Sequence, residues 1–322
     1  MISIKDIESA ATRLKGVAIH TPLVENAALN ELAGGRVMIK PECLQRTGSF
    51  KIRGAYNMMS RIEDRDAGVV AFSSGNHAQG VAAAGQLLGI ETTIVMPSDA
   101  PRAKLDNTRK LGGKVVTYDR YTEDREAIAR AIADERGSVV IPPFDHEQII
   151  AGQGTVGLEL ADDLQAESIA PDQLFVCCGG GGLTSGTGLA LRDRFPEAAV
   201  FTVEPEFFDD TARSLQTGTR QTIDESARSI CDSILAPSPG EMTFALLKAM
   251  NAQGLVVNED EVREAMRFAF RELKLVVEPG GAVALAAAMF RKAPAVDAVT
   301  VIVISGGNVD VEIFADVQTA AT

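Results

Sequence analysis

Cysteine is scarce in this sequence. The four present, Cys43, Cys177, Cys178 and Cys231, follow no metal-ligand spacing. That excludes a zinc ribbon or a disulfide-framed scaffold and points to reduced thiols in a cytosolic setting. No run approaches the roughly 18 apolar residues needed to span a bilayer, so no transmembrane helix is expected. The start, Met1-Ile2-Ser3-Ile4-Lys5-Asp6, has no long apolar run after a basic stretch, so no signal peptide is expected. Positive charge is in deficit: 31 Lys and Arg against 44 Asp and Glu give a formal net charge of −13. Nucleic acid and anionic membranes would be repelled by that balance. Internal repeats, low-complexity tracts and long charge blocks are absent as well. What remains is 322 residues with 46% hydrophobic and 23% charged content, ordinary for a soluble globular chain of about two domains.

Short β-branched runs alternate with longer helical ones from residue 69 onward. Strands are expected at 69–72, 92–96, 115–118 and 138–141, with an Ala-rich helix over 80–88, Pro101 placed to start another, and a charged helix over 122–136. A second series has strands at 174–178, 200–203 and 299–304, with helices over 183–194, 241–252, 259–273 and 281–291. Strands spaced by intervening helices indicate parallel βαβ units. Pro142-Pro143-Phe144-Asp145-His146 reads as a crossover between the series. The expectation is an α/β protein with two open, mostly parallel sheets carrying helices on both faces. A small domain over 64–143 would be inserted into a larger one made of 1–63 and 144–322. Ligands of such sheets sit beyond the carboxyl ends of the strands, often between domains.

Three loops lie at expected strand ends. Gly179-Gly180-Gly181-Gly182-Leu183-Thr184-Ser185-Gly186 opens a helix, and its glycines let backbone N–H groups approach an anion closely. A phosphate is the natural guest. The nucleotide-triphosphate loop Gly-x-x-x-x-Gly-Lys-Ser/Thr is missing, and a dinucleotide fingerprint fits poorly. Ser73-Ser74-Gly75-Asn76-His77-Ala78-Gln79-Gly80 offers hydroxyl, amide and backbone donors that suit a carboxylate, with Asn76 able to bond a phenolic oxygen. The same loop also reads as an N-cap with polar decoration, and His77 as a buried, hydrogen-bonded histidine. Ser305-Gly306-Gly307-Asn308-Val309-Asp310 places a hydroxyl where it could meet a ring nitrogen, or it is simply a turn.

Lys51, in Thr47-Gly48-Ser49-Phe50-Lys51-Ile52-Arg53-Gly54, opens an apolar-periodic helix. A cation there opposes the peptide dipole. It makes sense either as a solvated surface charge or as a neutral amine in imine linkage to an aldehyde cofactor. With the three loops, the second reading supplies every part of a pyridoxal phosphate site.

The combination of Ser49-Phe50-Lys51-Ile52-Arg53-Gly54, Ser-Gly-Asn-His, the tetraglycine loop and Ser-Gly-Gly-Asn resembles the fold type II pyridoxal-phosphate enzymes. Within them it resembles the serine/threonine dehydratase and serine racemase group, from Ile19-His20-Thr21-Pro22-Leu23 to Val309-Asp310. The resemblance implies the tryptophan synthase β-like fold, a homodimer, and dehydration of a small β-hydroxy amino acid to a 2-oxo acid and ammonia. Serine racemisation and threo-3-hydroxyaspartate dehydration are the alternatives, and an inactive amino-acid-binding homologue is the reading from another class.

By the same resemblance, Lys51 links to the cofactor and takes the α-proton, with Phe50 beside the ring. Asn76 meets the phenolic oxygen, Gly179, Gly180, Gly181, Gly182 and Leu183 bind the phosphate, and Ser305 meets the pyridine nitrogen. Ser73, Ser74, Gly75, Asn76 and His77 receive the substrate. Ser74 is either an acid/base opposite the lysine or a hydroxyl that bonds the carboxylate. Arg125 aligns with an arginine implicated in dicarboxylate binding, and also reads as a solvated helix face. Glu204 and Asp210, with the Phe208 carbonyl, correspond to a divalent-cation site for Mg²⁺, Ca²⁺ or Mn²⁺; unmetallated surface acids are the other reading. Cys231-Asp232-Ser233 departs from the usual Ala-Asp-Gly and weakens inference about substrate preference. A C-terminal regulatory domain is not expected.

Overall fold

The computed structural model describes residues 2–73, 75–100, 102–119, 121–224, 226–295 and 297–320. The strands described form two sheets. The first contains β1 (Val24–Glu25), β2 (Val37–Pro41), β7 (Gln173–Cys177), β8 (Ala199–Pro205), β9 (Gln253–Val257) and β10 (Thr300–Ile304), in the order β1-β2-β10-β7-β8-β9. Of these, β1 runs antiparallel and the others run parallel. The second contains β3 (Val69–Phe72), β4 (Thr92–Pro97), β5 (Lys114–Tyr118) and β6 (Val139–Val140), all parallel, in the order β5-β4-β3-β6. A parallel strand buried on both faces should be a continuous apolar run. β10, Thr-Val-Ile-Val-Ile, is buried throughout.

Helices cover both faces of each sheet. The all-apolar helix Pro279–Met289 packs on β10, β7 and β8. In the smaller sheet, Asn76–Leu88 and Arg125–Arg136 take opposite faces, each with its own apolar cluster. Among the described residues no helix is long and apolar enough to cross a membrane.

The 20-residue helix Glu147–Ala166 is not registered by the alternation of the sequence. Glycines at 152, 154 and 157 dilute its helical signal, since each weakens a helix interior. Their purpose is close approach: a Cβ on Gly152 would lie 2.5 Å from the Arg53 carbonyl oxygen, and one on Gly157 2.2 Å from that of Thr187. Strands β2 and β9 also escape the sequence reading. β2 ends in proline and β9 opens on Gln-Gly, so neither shows a clean apolar run.

Topology brings the chemistry together. β2, β10 and β7 are neighbours, so the segments leaving their carboxyl ends are neighbours too. Those segments carry Lys51, Ser305 and the tetraglycine loop. Beneath them lies a buried ionic network. Arg53, fully buried, donates to Glu42 at 2.8 Å and to Glu159 at 2.7 Å, and Lys40 meets Glu159 at 3.0 Å and Asp163 at 3.2 Å. Burial opposes these charges, but the opposite charges outweigh it: the Arg53 pKa is held above and that of Glu159 below the ordinary value.

Candidate active site

Lys51 is the first residue of the helix Lys51–Met59, and its Nζ donates to the Pro143 carbonyl at 2.8 Å. Burial lowers its pKa to about 8, because the charged amine has lost water without gaining a carboxylate partner. Phe50 lies beside it, with Nζ 5.2 Å from the ring centroid. The same segment is clasped to the end of β10. Ser49 and Gly306 form an isolated antiparallel bridge, the Phe50 N–H donates to the Ser305 carbonyl at 3.2 Å, and the Gly307 N–H donates to Gly48 at 2.9 Å. Ser305 is buried at the wall of the cleft, next to Cys177, whose thiol burial pushes up to about 11.

Gly179 to Leu183 line the same cleft, which encloses about 980 Å³ including the solvent at its mouth. Helix Gly182–Arg194 begins inside the loop, with Gly181 at φ 89° as its N-cap. Its first-turn N–H groups have no carbonyl partner within the helix and face outward as donors. The cup has no room for side chains: a Cβ on Gly180 would come 2.3 Å from the Phe144 ring. Backbone N–H groups are therefore the donors this loop offers, and a compact anion such as a phosphate suits them.

The opposite wall comes from the smaller sheet. Ser73, Asn76 and His77 line it, and Gly75 caps the helix Asn76–Leu88, its N–H bonded to the Ser73 hydroxyl at 3.2 Å. Ser74 lies outside the described residues. His77 is buried with Nε2 2.9 Å from the Ile141 carbonyl, and burial followed by the Lys51 charge lowers its pKa to about 3. Arg125 is exposed yet lines the mouth, its guanidinium 5.5 Å from the Phe72 ring centroid. Lys104 reaches across the cleft to form an ion pair with Asp232.

Two groups in the cleft escaped the sequence reading. Glu278 is 2% exposed, and its Oε1 accepts from the Asn76 Nδ2 at 2.6 Å. Burial, followed by the Asp232 charge, raises its pKa to about 7. In sequence, Glu278-Pro279-Gly280-Gly281 looks like an acidic cap before an Ala-rich helix, which it also is. Phe144 is the other, wedged against the glycine loop. The departure at Ser233 puts a buried hydroxyl in the cleft wall; it lies near Glu278 without the geometry of a full hydrogen bond.

Glu204 near the end of β8 and Asp210 at the start of the helix Asp210–Thr217 come close to one another away from this cleft, with Phe208 between them in the chain. The Glu204 carboxylate accepts from the N–H groups of Thr211 at 2.9 Å and Ala212 at 2.7 Å, and Asp210 Oδ2 is buried without a hydrogen-bond partner. Burial raises both pKa values, that of Asp210 to about 7 and that of Glu204 well above the carboxylate range, with Asp210 adding to the latter. They are not exposed surface acids. Among the described residues no cluster of three or more His, Cys, Asp or Glu side chains could hold a metal, so a cation here would need the carbonyl as well.

A family model described as pyridoxal-phosphate dependent enzyme matches residues 15–306. An L-threo-3-hydroxyaspartate ammonia-lyase of Pseudomonas sp is 46% identical over 316 residues, covering 97% of this chain and 97% of that protein. Maize serine racemase superposes with a TM-score of 0.91 at 34% identity, covering 98% of this chain and 96% of that one. A serine racemase from Dictyostelium discoideum superposes with a TM-score of 0.88 at 36% identity, covering 96% and 99%.

Proposed function

Since the chain belongs to the pyridoxal-phosphate-dependent enzyme family, we propose that it is an ammonia-lyase acting on small β-hydroxy amino acids such as L-serine and L-threonine. The observation that carries this is the pairing, in one cleft, of an amine biased toward neutrality, Lys51, with a neutral hydroxyl, Ser305. Pyridoxal phosphate, when bound, withdraws electrons from the substrate α-carbon. The glycine cup and the first turn of helix Gly182–Arg194 would hold its phosphate, Phe50 would flank its ring, Asn76 would face the phenolic oxygen, and Ser305 the pyridine nitrogen. A hydroxyl there cannot hold the ring protonated as a carboxylate would, which favours prompt loss of the β-substituent over a long-lived carbanion.

Lys51 is the residue whose Nζ would hold the cofactor and, when free of it, act as the base. Burial lowers its pKa to about 8, which enlarges the neutral fraction of Nζ able to take the α-proton. The α-proton taken by Lys51 and the lost β-hydroxyl would together make up one water, and the released enamine would take up another to give a 2-oxo acid and ammonia. Ser73, its hydroxyl held by the Gly75 N–H, and Ser74 would orient the substrate carboxylate, and His77, kept neutral, would brace that loop through Ile141. A specific observation favours a second substrate, threo-3-hydroxyaspartate: Arg125 at the mouth supplies a cation for a second carboxylate. Racemisation would need Ser74 as an acid/base facing Lys51. In the same reading Glu204, Asp210 and the Phe208 carbonyl hold Mg²⁺ or a similar hard cation, which the unpartnered Asp210 oxygen supports. The residues 64–143 form the smaller domain. The chain is a homodimer, for which exposed Val311 and Ile313 on helix Val311–Thr319 offer apolar surface.

The test is ammonia release from the yellow holoenzyme with L-serine, L-threonine and threo-3-hydroxyaspartate, with chiral analysis of recovered serine. Ammonia release from any of them supports the lyase, and the fastest names the substrate. D-serine forming faster than pyruvate would replace the lyase by a racemase.

A further inference from the structure

We propose that Glu278 is a positioning residue: together with Asn308 it locks the Asn76 amide so that one N–H, and not the carbonyl, faces the cleft. An asparagine amide can rotate by half a turn and exchange its donor and acceptor faces. Here both of its outer faces are claimed. Oδ1 accepts from the Asn308 Nδ2 at 2.7 Å, and Nδ2 donates to Glu278 Oε1 at 2.6 Å. A flip would set oxygen against carboxyl oxygen on one side and amide hydrogens against amide hydrogens on the other. One N–H of Nδ2 is left over, and Asn76 lines the cleft.

The lock is itself held. The Glu278 N–H donates to the Gly306 carbonyl at 3.1 Å, and Asn308 Nδ2 also reaches the Thr47 carbonyl at 2.8 Å. Gly306 leaves the carboxyl its space, since a Cβ there would lie 2.4 Å from Oε1. Two segments, 202 and 232 residues along the chain from Asn76, thus converge on its amide. Resting on the cofactor reading above, the remaining N–H is the donor that an oxygen carrying negative charge on the ring requires.

Apoprotein is titrated with pyridoxal phosphate by equilibrium dialysis, with the visible absorption band recorded, for the wild type, Glu278→Ala, Glu278→Gln, Asn76→Ala and the double variant Glu278→Ala/Asn76→Ala. Glu278→Ala is expected to weaken cofactor binding about tenfold, as loss of one oriented hydrogen bond does, and to shift intensity from the visible to the near-ultraviolet band. Glu278→Gln keeps a carbonyl acceptor and is expected to stay within about threefold of wild type. The double variant is expected to be no worse than Asn76→Ala alone. Additive losses, or an unchanged band in Glu278→Ala, would overturn the proposal. Should that variant fail to fold, Glu278→Met fills the volume without an acceptor and is read in the same way. A wild-type protein that binds no cofactor would instead overturn the cofactor reading, and this proposal with it.

Discussion

Lys51 and Arg53 stand two residues apart on one helix and meet opposite fates. Arg53 points into a network of Glu42, Glu159, Lys40 and Asp163, where every buried charge has a counter-charge within 3.2 Å. Lys51 points into the cleft, where its amine finds only a carbonyl. Burial opposes charge at both sites. At Arg53 the paired carboxylates outweigh it, and the ions persist. At Lys51 nothing does, and the pKa falls to about 8. His77 and Glu278 behave like Lys51, displaced toward their neutral forms. Buried charge that is matched serves to hold the fold. Buried titratable groups left unmatched are displaced toward neutral forms, the state from which a base accepts a proton and an acid donates one.

The largest effect expected from breaking this contrast is at Lys51. Lys51→Ala should lower turnover by at least about 10⁴-fold, since nucleophile and base vanish together, and should abolish the visible band that borohydride removes from the wild type. Its melting temperature should not fall. Arg53→Ala is the mirror case. It strands the buried Glu42 carboxylate and leaves Glu159 with Lys40 alone, costing about 3–5 kcal/mol and lowering the melting midpoint by roughly 10 °C, while the folded fraction keeps its cofactor band. Calorimetry and absorbance on both variants check the crossing.

Next in size is the cation. Mg²⁺ at about a hundred times its dissociation constant should stabilise the protein by about 2.7 kcal/mol. Chelator should remove that gain, and Glu204→Gln should not show it. The pH dependence of apoprotein stability sharpens the contrast further. Lys51 titrates near 8 when folded against 10.5 unfolded, so between those values the unfolded chain binds more protons and stability rises with pH. Lys51→Met should flatten that rise. Glu278 has the opposite sign: raised from 4.5 to about 7, it binds more protons when folded, so its contribution is lost as pH climbs through that window. Glu278→Gln should remove the loss. The smallest effect is at Ser233. Ser233→Gly removes a hydroxyl that has no partner and should change kcat/KM by less than about tenfold, through KM more than kcat.

Much of this was legible in the chain. The apolar runs of β3, β7 and β10 and the glycine loop after β7 carry local signals strong enough to stand alone, because a doubly buried parallel strand and a backbone anion cup each demand an unusual composition. Glu278 was not legible. Its sequence context is a helix cap, and its second use depends on Asn76, which lies 202 residues away along the chain. Helix Glu147–Ala166 was hidden by the very glycines that let it pack. The Glu204 and Asp210 pair could be named from spacing and resemblance, but not the orphaned Asp210 oxygen, since burial is a property of the packed molecule.

By itself, then, the sequence determined which segments could bind an anion, accept a carboxylate or form an imine, because residue type sets chemistry and local pattern sets secondary structure. Only the tertiary structure decided which ionisable groups keep their charge. That depends on whether a counter-ion reaches the same buried space, and two positions on one helix received different answers.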